Sequence, residues 1–310
     1  MSRMPLRYPR ASVFLIAFSF RDAFAHYTIF PAPVSTGFSG IGRYAMKYKN
    51  YVFDLYGTLV DIRTDESRPA LWRALAGLYA ACGADYTPAA LRVAFLREEK
   101  KARRALGKKL GTPWPEIRLE KIFAQLLASP PRSHGVSSPV SPSCGTEEIL
   151  QSGWAALIAN CFRVLSRDKM HLYPGTKAAL SGLREAGCGV YLLSNAQAVF
   201  TRPEIEALGL EAFFDGVFLS SDLMRMKPDP VFMEMLLQKY GLDKRETVMV
   251  GNDFFSDAGV ALASGMDCVI LNTGRRSRRE LSELTDEALR KYPGAARDSL
   301  VSVPSAAFLP

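Results

Sequence analysis

A chain of 310 residues, 48% hydrophobic and 23% charged, has the make-up of one large or two smaller globular domains, which excludes disordered and fibrous classes. The net charge of +8 does not describe a nucleic-acid surface: Arg3, Arg7, Arg10, Arg21 and Arg43 minus Asp22 place +4 of it in residues 1–45. No basic run is interleaved with the aromatics that stack on bases, so no nucleic-acid partner is expected.

The chain opens with basic Met1–Arg10, apolar Ala11–Phe20 and the small-residue stretch Ala23-Phe24-Ala25. This is the outline of a signal peptide, interrupted by Arg21 and Asp22. The apolar run is too short to span a bilayer as a helix, and no membrane partner is expected. Met46 stands directly ahead of a natural first strand. Residues 1–45 are therefore expected to be a disordered tail or an artefact of start-site choice. The expected location is cytoplasmic, with secretion as the alternative if residues 1–25 act as a signal. The five cysteines, Cys82, Cys144, Cys161, Cys188 and Cys268, are odd in number and lack metal-binding spacing, which suits reduced thiols.

Tyr51–Leu55 reads as a buried strand that delivers Asp54 to its carboxyl end, with a Gly57-Thr58 turn next. A long helical stretch follows. Leu71, Trp72, Leu75, Leu78 and Tyr79 recur at helical spacing in Pro69–Cys82. Thr87 caps a second helix that Pro88 opens and that runs to about Leu106. Pro115–Leu127 and Thr146–Ser166 are the expected third and fourth. Between them, residues 129–145 are rich in Ser and Pro and are expected to form a disordered loop.

From Gly175 the rhythm changes to alternating helix and strand: Lys177–Ala186, Gly189–Ser194, Pro203–Leu208, Gly216–Ser220, Pro230–Tyr240, Thr247–Val250, Asp257–Ala263 and Asp267–Asn272. Such alternation predicts an α/β fold, a doubly wound parallel sheet with helices on both faces. The expected domains are an α/β core of residues 46–62 and 167–273, an inserted all-helical cap of 63–166, and a tail of 274–310. The tail holds a possible helix, Ser277–Lys291, behind the basic cluster at Arg275-Arg276-Ser277-Arg278-Arg279. No pattern is legible from Pro293 onward, and neither substrate specificity nor oligomeric state can be read. Arg63, Thr64 and Asp65 could face substrate or form a hinge to the insert.

Four polar clusters fall where the strands of such a sheet end: Asp54, Tyr56 and Thr58; Ser194 and Asn195; Lys227 before Pro228; and Gly251-Asn252-Asp253-Phe254-Phe255-Ser256-Asp257. Ligands in open α/β sheets gather at those ends. Each cluster alone reads as a turn or a helix cap; Asp253 and Asp257 could be acids offsetting a helix dipole. The order and spacing of all four together resemble the haloacid dehalogenase superfamily, over about Lys47 to Thr273. Its motifs appear as Asp54-Leu55-Tyr56-Gly57-Thr58, Ser194, Lys227 and the acidic cluster ending at Asp257, and the helical insert matches the mobile cap of many members.

The resemblance implies that Asp54 is a nucleophile forming a covalent aspartyl intermediate, that Lys227 neutralises nucleophile and transferred group, and that Thr58, Ser194 and Asn195 contact substrate. It implies Mg²⁺ held by Asp54, the carbonyl of Tyr56, Asp253 and Asp257, with Asn252 as the alternative to Asp253. A small phosphorylated metabolite is the expected substrate. One position departs from most phosphatases of the family: Tyr56 stands where a second Asp protonates the leaving group. Dehalogenases carry Tyr there, because a halide needs no proton. They also have few acids in the last motif and use no metal, whereas this chain has Asp253 and Asp257. A metal-independent 2-haloacid hydrolase and a weakly active or non-catalytic binding protein remain the alternatives.

Overall fold

The apolar run after Lys49 becomes the middle of a parallel sheet. In the computed structural model, residues 48–129 and 144–305 are described. The amino-terminal extension and nearly all of the expected 129–145 loop lie outside them. Strand β1 (Asn50–Phe53) leads into β2 (Val60–Thr64), and then come the helices of the insert: α1 (Pro69–Ala81), α2 (Pro88–Leu110), α3 (Leu119–Ala128), α4 (Thr146–Gln151) and α5 (Trp154–Ser166). Strand β3 (Arg167–Leu172) returns the chain to the sheet. Alternation follows: α6 (Thr176–Glu185), β4 (Gly189–Ser194), α7 (Ala198–Ala207), β5 (Gly216–Leu219), α8 (Ser220–Leu223), α9 (Pro230–Tyr240), β6 (Thr247–Gly251), α10 (Asp257–Ala263) and β7 (Asp267–Leu271). Helix α11 (Arg278–Lys291) and β8 (Leu300–Val303) close the described chain.

The main sheet has the order β5-β4-β1-β6-β7-β8, with every neighbouring pair parallel. Successive side chains of a strand point to opposite faces. Tyr51 and Phe53 pack with Leu180, Leu183 and Leu192 on one face, while Val52 packs with Leu193, Phe232, Met233 and Met249 on the other. Both faces are covered, which is why the strands read as unbroken apolar runs. The chain builds outward on one side of β1 through β4 and β5, then crosses to β6 on its other side. The order thus reverses at β1, and the cleft at its carboxyl end opens between β4 and β6.

The insert has its own core. Trp72, Phe95, Phe123 and Phe162 meet with ring centroids 5.2–5.9 Å apart. Its two connections form a separate antiparallel ribbon, β2 against β3, which the sequence reading did not anticipate. One side of the ribbon, Val60, Ile62, Met170 and Leu172, packs on the core while the other is polar; the strands are short and their partners lie about a hundred residues apart. Arg63 pairs with Asp168 and Lys169 with Asp61 across it. Asp65 N–H donates to Ser166 O. Residues 63–65 therefore lie in the connection between the core and the insert.

Other boundaries moved for local reasons. The third helix starts at Leu119, not Pro115, because Pro113 and Pro115 hold the chain extended there. That extended stretch lies antiparallel to residues 224–226: Met226 N–H donates to Trp114 O and Glu116 N–H to Met224 O. The fourth helix breaks into α4 and α5 at Gly153, whose φ of 82° is left-handed. Helix α7 starts at Ala198, carrying Pro203 inside it. The tail beyond Pro293, patternless in sequence, supplies β8 at the sheet edge. No helix among the described residues is long and apolar enough to cross a membrane.

Candidate active site

Asp54 leaves β1 just past its last paired residue, and its N–H donates to Val250 O of β6. Its carboxylate, 7% exposed, meets three side chains. Ser194 Oγ, from the end of β4, donates to Oδ1 at 3.1 Å. Lys227 Nζ donates to the same oxygen at 2.7 Å. Thr58 Oγ1 reaches Oδ2 at 3.2 Å. The sequence-predicted Asp54, Thr58, Ser194 and Lys227 are thus brought together around one carboxylate. Thr58 and Ser194 are fully buried, and both hydroxyls touch Asp54 itself.

Lys227 is buried at 1% exposure, and its ammonium also donates to Asp257 Oδ1 at 2.6 Å. Burial works against a charged lysine. The carboxylates of Asp257 and Asp54 outweigh it and raise the pKa, so Lys227 is held as an ammonium. Burial likewise pushes Asp257 up to about 6, opposed by the Lys227 charge. Asparagine 195, expected against substrate, is spent on Lys227: Asn195 Oδ1 accepts the Lys227 N–H at 2.7 Å and Nδ2 donates to the Lys227 carbonyl at 2.9 Å. It fixes the lysine's backbone, which is a positioning task.

The last motif differs from expectation at two acids. Asn252, rather than Asp253, lies against the Asp54–Thr58 turn. Its Oδ1 is 3.1 Å from Thr58 Oγ1, and a Cβ on Gly57 would come within 2.6 Å of its Nδ2. Gly57, at φ 84°, is required both for the turn and for this approach. Asp253 caps the next turn instead, accepting the Ser256 N–H at 2.6 Å, and lines a cleft with Phe254, Phe255, Arg276 and Tyr292. Asp257, expected to bind metal, has both oxygens committed: Oδ1 to Lys227, Oδ2 to the N–H groups of Asn252 and Asp253 at 2.9 and 3.0 Å. Its carboxylate organises the loop, and Gly251 leaves the room, since a Cβ there would sit 2.2 Å from Asp257 Cγ.

Tyr56 is also turned away from proton transfer. Its hydroxyl hydrogen-bonds Glu204 and lies 3.1 Å from Thr201 Oγ1. Burial, then the Glu204 charge, pushes the phenol above its ordinary pKa. Glu204 in turn takes a two-pronged contact from Arg163 at 2.7 and 2.9 Å and one from Arg167 at 2.7 Å. Arg163 stacks over the Tyr56 and Phe200 rings. This cluster joins α5 of the insert to α7 of the core. Gln197 makes a second junction, its Nε2 donating to Ile117 O and its Oε1 accepting the Leu119 N–H, both at 2.9 Å. Sequence reasoning missed Arg163, Glu204 and Gln197. For Arg163 and Glu204 the available signal was a charged residue on a buried helix face; Gln197, the residue before α7, left none, and the partners are up to 148 residues away.

A metal ion here would meet oxygen: the Asp54 carboxylate and the Asn252 amide oxygen, which flank Thr58, with the carbonyl of Tyr56 as the further donor that the resemblance implies. Among the described residues no three Asp, Glu, His or Cys side chains converge as a metal site. Mg²⁺ suits such a set, because it keeps several waters and takes one or two carboxylates plus substrate phosphate oxygens. Thiol- and imidazole-seeking metals do not.

The sequence model of haloacid dehalogenase-like hydrolases matches residues 48–265. Phosphoglycolate phosphatase of Yersinia pestis is 34% identical over 103 residues, 33% of this chain and 44% of that protein. Phosphoglycolate phosphatase of Pseudomonas putida is 32% identical over 136 residues, 42% of this chain and 50% of that protein. The chain spans about half the length of the curated relatives it matches. L-2-haloacid dehalogenase from Xanthobacter autotrophicus covers 84% of this chain and 96% of its own at 19% identity, with a TM-score of 0.45. A phosphatase from Thermococcus onnurineus covers 74% and 89% at 21% identity, with a TM-score of 0.43. At these identities neither likeness bears on the reaction.

Proposed function

The chain belongs to the haloacid dehalogenase-like hydrolases, and from that premise we propose that it is a Mg²⁺-dependent phosphohydrolase acting on a small phosphorylated metabolite. The observation that carries this reading is the buried Asp54–Lys227–Asp257 triad at the point where the strand order reverses. Asp54 attacks phosphorus, the bond from phosphorus to the leaving oxygen breaks, and an aspartyl phosphate forms. Water then attacks that phosphorus and releases inorganic phosphate and Asp54. Lys227 and Ser194 orient Oδ1 and offset the charge that builds on the transferred group. Asp54 and Asn252, with the carbonyl of Tyr56, would hold Mg²⁺, which when bound would supply further positive charge between two anions that otherwise repel.

The leaving group is the point of selection. The Tyr56 proton is committed to Glu204, so no side chain identified at the site protonates a departing alkoxide. General acid help is worth roughly 10²–10⁴ in rate. Acyl and aryl phosphates, which leave without it, are the favoured class. The relatives' substrate, phosphoglycolate, is a natural comparison. The helical insert acts as the lid over the cleft, excluding water as substrate binds.

Tyr56 also favours a second reading, metal-independent hydrolysis of a 2-haloacid, where the halide needs no proton. One assay separates the two. The protein is incubated with an aryl phosphate, acetyl phosphate and phosphoglycolate, with Mg²⁺ or with chelator, and in parallel with 2-chloropropionate. Phosphate release that chelator abolishes is the expected result. Halide release indifferent to chelator would replace it with the second reading. Asp54→Asn is expected to abolish the activity; turnover near wild type in that variant would remove Asp54 as nucleophile.

A further inference from the structure

The segment just after β7 touches both catalytic loops. Thr273 Oγ1 donates to the carbonyl of Gly57, in the nucleophile turn, at 2.6 Å. Three residues on, Arg276 Nη1 donates to the carbonyl of Asn252, in the last motif, at 3.3 Å, and its guanidinium lies over the Phe254 ring. Asn272 makes these two contacts one unit. Its Oδ1 accepts the Arg276 N–H and its Nδ2 donates to the Arg276 carbonyl, both at 2.8 Å. Its own N–H donates to Val303 O of β8. Between them Arg275 sits at φ 53°, a left-handed conformation that a non-glycine residue keeps only when its neighbours impose it. All four residues lie beyond 265, where the family match ends.

We propose that Asn272, Thr273 and Arg276 form a latch that holds the Asp54–Thr58 turn and the Asn252–Asp257 loop in register, making them positioning residues for the hydrolytic site. The latch rests on the reading of that site as a hydrolase centre. Both carbonyls it grips belong to the turns that carry Asp54 and Asn252. The turn is closed internally by Gly57 N–H to Val60 O and Val60 N–H to Leu55 O, and the Thr273 contact ties that closed turn to the segment after β7. The latch acts on backbone, so it sets where the nucleophile stands without touching substrate. A shift of about 1 Å in such a group can cost on the order of a hundredfold in rate.

The test uses the full chain. Thr273→Val removes the hydroxyl at nearly constant shape, Thr273→Ser restores it, and Asn272→Ala opens the bracket around Arg276. Steady-state turnover of an aryl phosphate with Mg²⁺ is measured beside amide hydrogen exchange of residues 55–60 and 251–257 without substrate. Thr273→Val and Asn272→Ala are expected to lose roughly tenfold or more in kcat with KM changed less than about threefold, since orientation rather than binding is lost. Both are expected to speed exchange in the nucleophile turn, and Asn272→Ala in the second loop as well. Thr273→Ser is expected to recover both readouts. Wild-type exchange in these loops in Asn272→Ala and Thr273→Val would overturn the latch, whatever the activity. An active wild type with an equally active Thr273→Val would overturn it too. A wild type silent on every substrate, with the exchange differences present, would instead remove the hydrolase reading and leave the latch standing.

Discussion

Two buried charge clusters flank the turn that carries Asp54 and Tyr56, and they are built in opposite ways. In one, a single ammonium, Lys227, lies between the carboxylates of Asp54 and Asp257. In the other, a single carboxylate, Glu204, lies among Arg163, Arg167 and the Tyr56 phenol. By formal charge the first carries an excess carboxylate and the second an excess cation. Lysine is a compact point charge on a flexible stem, able to share itself between Asp54 and a transferred group, whereas the Arg163 fork grips Glu204 by two bonds at once. The first cluster therefore has room for a cation and for exchange of partners during a reaction. The second is saturated, and serves to join the insert to the core.

Substitutions can break or sharpen this contrast. The largest effect is expected from Lys227→Met, which leaves two buried carboxylates facing each other. Removing one partner of a buried pair costs about 3–5 kcal/mol, to be read from urea denaturation, and turnover is expected to vanish. A stable, active Lys227→Met protein would break the contrast outright. Glu204→Gln comes next: it keeps the shape of the junction but not its charge, and a cost of about 1–3 kcal/mol is expected. Turnover should survive far better than in Lys227→Met, because no atom of Glu204 touches Asp54 in the bonding described above. Tyr56→Phe is expected to cost about 1–3 kcal/mol for the lost contacts to Glu204 and Thr201, with kcat within a few-fold of wild type. A fall of about a hundredfold or more would mark the phenol as a proton donor after all. The smallest effect belongs to the exposed ribbon pair. Lys169→Ala removes a contact to Asp61 that solvent already screens, and the urea midpoint should not move measurably.

The distribution of what was legible follows the range of the interactions. Asp54, Ser194 and Lys227 are each placed by a local element, a strand end or a helix start, so their positions could be read along the chain. Asn252 and Asp253 are adjacent, and which one turns inward depends on the Asp257 carboxylate gathering the N–H groups of both, and on the space at Gly57. No periodicity reports that. Asn195 was legible as a site residue but its task was not, because its partner is the Lys227 backbone 32 residues away. The β2–β3 ribbon, β8 and the extended stretch before α3 were invisible for a related reason. Each is short and is held by hydrogen bonds to a distant segment, so its few buried apolar residues, such as Val60, Ile117 and Leu300, do not build a readable period.

By itself the sequence determined the doubly wound sheet, the helical insert and the carboxylate at the end of the first strand, because apolar periodicity and strand-end polarity are written in neighbouring residues. Only the tertiary structure decided which side chains meet that carboxylate, that the Tyr56 phenol is bound to Glu204, and that residues 272–276 bridge the Asp54–Thr58 turn and the Asn252–Asp257 loop. Those outcomes depend on distances between segments far apart in the chain, and on which buried polar atom finds its partner first satisfied elsewhere.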